Sequence, residues 1–198
     1  MSFILDYIAS TVLFGLMFLS VLWTNFNMNA KVIKNRMQAV AQTNAVQLAL
    51  QIEHDFLKIG FRKSGQKILS ATSTSIRFYA DLDRLNRMNE VQYSIGSASD
   101  LSFTQNPNDF PLIRTVDGGA VRQNFGLVQF QISYYNSSHA LLPVPMSDSA
   151  SLSRIETIGV HFRVESPDPA ISPYDTTWAS ISWEKLLVPR NIGGNCYY

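Results

Sequence analysis

The sequence predicts an α+β protein: one long N-terminal helix packed through its second half on an antiparallel β-sheet. Three observations carry this. Residues 3–23 form an apolar run whose one charged residue is Asp6. Residues 30–60 place apolar residues at helical spacing, with no Gly or Pro before Gly60. From Gln66 onward the hydrophobic period falls from 3.6 to 2. The chain therefore divides into an apolar transmembrane-type helix (1–29), an amphipathic continuation of the same helix (30–60) and a β-rich head (61–198).

The first element spans about 31 Å as a helix, which matches a hydrocarbon core of about 30 Å. It has no basic residue ahead of it and no small-residue cleavage site behind it, so it differs from a signal peptide. Trp23 and Phe26 stand where interfacial aromatics belong. A single-pass helix in a lipid bilayer is the expectation. Asp6 is the exception, because an ionised carboxylate near hydrocarbon is costly unless it lies at the interface or finds a counter-charge. The α-amino group of a neighbouring chain is one such partner. Lys31, Lys34 and Arg36 follow the span. Taken alone, they place the C-terminal part in the cytoplasm.

In the second element Met37, Ala41, Ala45, Leu48, Ile52, Phe56 and Ile59 make one stripe, while Lys31, Asn35, Gln38, Gln42 and Gln51 lie off it. The stripe needs a cover, and the β-region is the nearest candidate; a coiled-coil partner is the alternative. Gly60 is the expected stop. Glu53 and Asp55 are two apart and face apart on a helix. Their expected role, with Gly60 and Arg62, is to join helix to head by hydrogen bonds or salt bridges, with Lys58, Arg62 or a neighbouring subunit as partners.

In the head, "KILSA", "SIRFYADL", "VQYSIGSA", "LVQFQISYYN", "IETIGVHFRVE" and "TWASISWEKLLV" read as strands, separated by turn clusters "TQNPNDFP", "DGG", "NSSH" and "SPDPAISPYD". In "LVQFQISYY" the pattern sends Val128, Phe130, Ile132 and Tyr134 to one face, and Ile158, Val160, Phe162 and Val164 repeat it. One face dry and one wet implies antiparallel pairing.

The net charge of +1 and 16% charged residues give no footprint for nucleic acid. His54, His139 and His161 have no metal-ligand spacing, and Cys196 has no intrachain partner. Asp81 and Asp83 are the weak candidates for a metal, in a cluster that Arg84 and Arg87 interrupt. Neither a nucleophile motif nor a phosphate loop is present, so no enzyme activity and no cofactor are expected.

Several stretches in order resemble the type IV pilin-like proteins, and among them the larger minor pilins and pseudopilins of the J or W type. "IEHDFLKIGFR" (52–62) is similar to their helix-ending block. "STSIRFYADLD" (73–83) with "VQYSI" (91–95) resembles the hairpin that follows. "LVQFQISYYNSSHALLPVP" (127–145) and "IETIGVHFRVES" (155–166) resemble later core strands, and "VPRNI" (188–192) their C-terminal signature. The resemblance implies a structural subunit of a type IV pilus-like filament or a type II secretion pseudopilus. It would sit in a bacterial inner membrane with its head extracytoplasmic, and enter a periplasmic or extracellular filament on assembly. Other pilin-like subunits and an inner-membrane assembly platform would be its partners. It also gives Asp6 a role. Loss of Met1 would leave Ser2 first, Phe3 second and Asp6 as the fifth residue, where the family carries an acid (usually Glu) that pairs with a neighbour's N-terminus. The family's basic leader ending in Gly is not seen ahead of Phe3, which implies either earlier removal or leader-independent processing. A membrane-tethered accessory subunit that never polymerises is the alternative.

Overall fold

The computed structural model describes residues 2–82, 87–101, 104–171 and 176–192. Helix α1 (Ser2–Leu57) runs unbroken for 56 residues, about 84 Å. Nothing in its sequence breaks it: it holds no Pro, and a Cβ added at its one Gly, Gly15, would meet nothing within 4 Å.

The two halves of α1 differ in surroundings. Residues 3–36 project from the head and are exposed almost throughout, including Phe14, Phe18 and Trp23. Burial begins at the half-buried Met37 and is complete at Ala41, Ala45, Leu48, Ile52 and Phe56. These residues are the 3.6-period stripe, widened by Ala49 and Asp55. The sheet covers it, through strands that also supply the rest of the core. Phe56 stands edge-on to Phe78 and Tyr93, with ring centroids 5.6 and 5.5 Å away. The helix ends in a tight turn, Lys58 N–H to Asp55 C=O and Ile59 N–H to Phe56 C=O. At Gly60 (φ +73°) the chain reverses, and the Gly60 N–H donates to Tyr79 C=O at 2.8 Å.

The head follows as β1 (Ile68–Ala71), β2 (Ile76–Ala80), β3 (Asn89–Ile95), β4 (Phe110–Val116), β5 (Gly119–Tyr135), β6 (Thr157–Glu165), β7 (Ala170–Ile171), β8 (Thr176–Thr177) and β9 (Ser180–Leu187). A 3₁₀ turn (Ala98–Leu101) precedes β4, and one turn of helix, α2 (Ser149–Leu152), precedes β6. Seven strands make one sheet in the order β1-β2-β3-β4-β5-β6-β9, every pair antiparallel; β7 and β8 form a separate small hairpin. The fold is α+β, with α1 on the dry face of this sheet.

Two features depart from the sequence reading. "FPLIRTV" is strand β4, although its first two residues fall in the expected turn "TQNPNDFP". Val116 and Gly119 pair across a two-residue turn at Asp117 (φ 49°) and Gly118 (φ +84°), which extends β5 eight residues ahead of Leu127. Second, the alternation in "LVQFQISYY" slips. Phe130, Ile132 and Tyr134 are buried as expected, but Leu127 is buried where Val128 was expected. The register of β5 shifts between Leu127 and Gln129 against β6, a bulge that places one extra residue on one strand. Gly126 (φ +70°) makes it possible: a Cβ there would lie 2.2 Å from Glu165 C=O.

Candidate functional site: the stalk and its junction with the head

The stalk is the apolar half of α1. Asp6 is its one charged residue between Ser2 and Ala30, and it is exposed. Its backbone carbonyl accepts from Ser10 Oγ at 2.7 Å. Its carboxylate meets no cation among the described residues, since the nearest basic residue in sequence is Lys31. Phe3 is 89% exposed. Met1 and the side chain of Ser2 lie outside the described residues. The structure therefore keeps Asp6 and Phe3 on one uncovered surface. Other polar side chains on that surface bond within the helix: Thr11 Oγ1 donates to Ile8 C=O, Thr24 Oγ1 to Ser20 C=O, and Asn29 Nδ2 to Asn25 Oδ1 at 3.0 Å. This helix is long and apolar enough to cross a membrane.

The junction is polar and mostly buried. Asp55 is 1% exposed, and its Oδ2 accepts from Tyr93 Oη (2.7 Å) and Arg114 Nε (2.7 Å). Its Oδ1 lies 3.0 Å from His54 Nδ1. Gln51 Nε2 donates to Tyr93 Oη, and Gln51 and Gln123 exchange two hydrogen bonds at 2.8 and 2.9 Å. The result is a contiguous network from α1 across β3, β4 and β5. Burial, followed by the charge and hydrogen bond of Asp55, pushes the Tyr93 phenol well above its usual range. Burial opposes the charge on Arg114, but the hydrogen bond and charge of Asp55 outweigh it and hold the guanidinium protonated. Each buried donor is matched to an acceptor, which is what makes such a network tolerable in a low-dielectric interface.

Glu53, two residues earlier, faces away from Asp55. It pairs with Lys185 Nζ on β9 at 2.7 Å, not with Lys58 or Arg62. Lys58 Nζ instead donates to Leu82 C=O. Arg62 Nη1 binds Asp81 Oδ2 at 3.0 Å. Arg62 itself has φ 61°, so its backbone continues the reversal begun at Gly60. Asp81 is fully buried with this partner, an arrangement that uses it to close the helix end on β2. Asp83 and Cys196 lie outside the described residues. No three His, Cys, Asp or Glu side chains come together among the described residues.

Sequence reasoning named Asp55 but missed Tyr93, Arg114, Gln51 and Gln123. A signal existed. Val91, Tyr93 and Ile95 share the dry parity of β3, and a phenol there needs a polar partner. Leu112 and Arg114 share parity on β4, and a guanidinium beneath a helix needs a counter-charge. β4 opens inside the turn cluster "TQNPNDFP", so nothing along the chain marks Arg114 as a strand residue beneath the helix.

No known family model, curated protein or solved structure matches the chain.

Proposed function

We propose that the protein is a structural subunit, a minor pilin or pseudopilin, of a pilus-like filament or secretion pseudopilus, assembled through the apolar half of α1. The observation that carries this reading is the uncovered stalk: residues 3–36 are exposed almost throughout and strongly apolar as far as Trp23, with one acid, Asp6, near the N-terminal end. A helix of this kind leaves water either for lipid or for a bundle of like helices. The apolar environment changes little between these two, so a subunit can pass from membrane to filament without a large hydrophobic cost. In the bundle, Asp6 meets the N-terminus of an adjacent subunit and fixes the axial register, because the unpaired state is expensive. The head, held by the Asp55 network and Glu53–Lys185, forms the outer surface. The bilayer would be that of a bacterial inner membrane, with the head on its extracytoplasmic side. The resemblance of 52–62, 73–83, 91–95, 127–145, 155–166 and 188–192 to pilin-like proteins supports the same reading.

The test is incorporation into filaments. Asp6→Ala should abolish recovery of the protein in sheared surface filaments, while leaving its level in the membrane fraction unchanged; Asp6→Glu should restore it. Recovery of Asp6→Ala at the wild-type level would replace the filament reading with that of a tethered accessory subunit.

A further inference from the structure

Lys31, Lys34 and Arg36 are the only charged residues between Asp6 and Glu53. All three are exposed, and none pairs with a carboxylate among the described residues. Glu53, the nearest acid along the helix, stands about 25 Å beyond Arg36. It is already paired with Lys185. Lys31 and Lys34 are three residues apart on α1, so their Cβ atoms are neighbours at about 5–6 Å. Two like charges placed so repel one another, and no anion on the helix relieves them.

The patch sits at a fixed height, because α1 is unbroken through it. Past Trp23 the chain alternates Asn25, Asn27 and Asn29 with Phe26 and Met28, a mixture that suits the layer where aromatic rings meet headgroups. With Phe26 at the edge of the hydrocarbon, Lys31 stands about 8 Å and Lys34 about 12 Å above that edge. The headgroup layer of one leaflet is about 5–8 Å deep. Side chains on a helix lean toward its N-terminus, here toward the bilayer, and a lysine stem is long and flexible. Both ammonium groups therefore reach the phosphate level while their backbone stays above it. Arg36, about 15 Å up, acts through its field, which fades over about 8–10 Å.

With the head extracytoplasmic, these cations stand on the side that the positive-inside tendency disfavours, so topology gives them no purpose. We propose that Lys31 and Lys34, supported by Arg36, bind the phosphates of anionic phospholipids in the leaflet that faces the head. Lysine suits this task, since a compact ammonium binds phosphate as a point charge. The contact relieves the repulsion between the two lysines, fixes the depth of the helix and seats the head above the bilayer. Each cation near the surface favours an anionic leaflet by about fivefold. The proposal rests on the membrane reading of the stalk and not on filament assembly.

Full-length protein in nanodiscs of equal parts phosphatidylglycerol and phosphatidylcholine tests it, with native mass spectrometry to count the lipids that stay bound on release. The wild type should retain phosphatidylglycerol over phosphatidylcholine by about fivefold or more. Lys31→Gln with Lys34→Gln should abolish that preference, Arg36→Gln should lower it less, and Lys31→Arg with Lys34→Arg should keep it. All these positions are exposed on the helix, and the wild-type ratio is decisive even without the variants. Equal retention of the two lipids by the wild type, or an undiminished preference in the double Gln variant, would overturn the proposal. Failure to enter the discs at all would overturn the membrane reading beneath it.

Discussion

Asp55 shows how one side chain decides the joint between helix and head. It is buried at the helix–sheet boundary and receives hydrogen bonds from Tyr93 and Arg114. Asp55→Ala should destabilise the head by about 3 kcal/mol, because it strands a partly buried guanidinium and a buried phenol. Urea unfolding followed by tyrosine fluorescence would measure this, and Glu53→Ala, with its half-exposed partner Lys185, should cost well under about 1 kcal/mol. Gly126 decides a different joint. Gly126→Ala forces a left-handed backbone on a Cβ and drives it into Glu165 C=O, so a loss above about 2 kcal/mol is expected in the same assay. Asp117 sets a pH dependence. The Asn89 side chain, the Glu90 N–H and Arg87 hold its carboxyl below the ordinary carboxylate range. A depressed folded-state pKa means stability that is full above the unfolded value of about 3.9 and is lost as pH falls through the folded one. Asp117→Asn should therefore lower stability at neutral pH and converge on the wild type in strong acid, which flattens the acid limb of a stability–pH curve below about pH 4.

At the scale of elements, α1 is one helix with two environments. Its second half follows the amphipathic pattern, so opposite faces should respond differently to truncation. Leu48→Ala, on the buried face, should cost about 2–5 kcal/mol, while Leu50→Ala, 63% exposed on the other face, should change stability by less than about 0.5 kcal/mol. The stripe was legible because local periodicity and burial coincide on a helix laid against one surface. β6 was legible for the same reason, with Ile158, Val160, Phe162 and Val164 all buried. β4 and the start of β5 were not. Pro111 and Arg114 lie in β4, which the sequence did not mark as a strand, and although "DGG" read correctly as a turn, the strands that Asp117-Gly118 joins appear only in their pairing with β3 and with each other. The slip at Leu127–Gln129 was equally hidden, since a bulge appears in the pairing of two strands and leaves only a glycine in the sequence of one.

For the whole molecule, the stalk and head are separate in their stability. Residues 3–36 are exposed almost throughout and supply no core residue, and the core is closed by Ala41 to Ile59 and the sheet. A chain beginning at residue 30 should then be soluble without detergent and unfold at the midpoint of the full-length protein. A midpoint lower by more than a few degrees would mean that the stalk supports the head. The sequence by itself determined the long helix, its change of character near residue 30, the buried stripe, the antiparallel β-region and the isolated charge at Asp6. Each is written in local composition or in a period short enough to read along the chain. Tertiary structure alone decided which partners Glu53, Asp55 and Arg62 take, and where β5 slips. These depend on contacts between residues as many as 132 positions apart, as in Glu53–Lys185. Such contacts exist only after the strands have aligned, because hydrogen-bond register and the twist of the sheet, rather than neighbours in sequence, bring those side chains within reach.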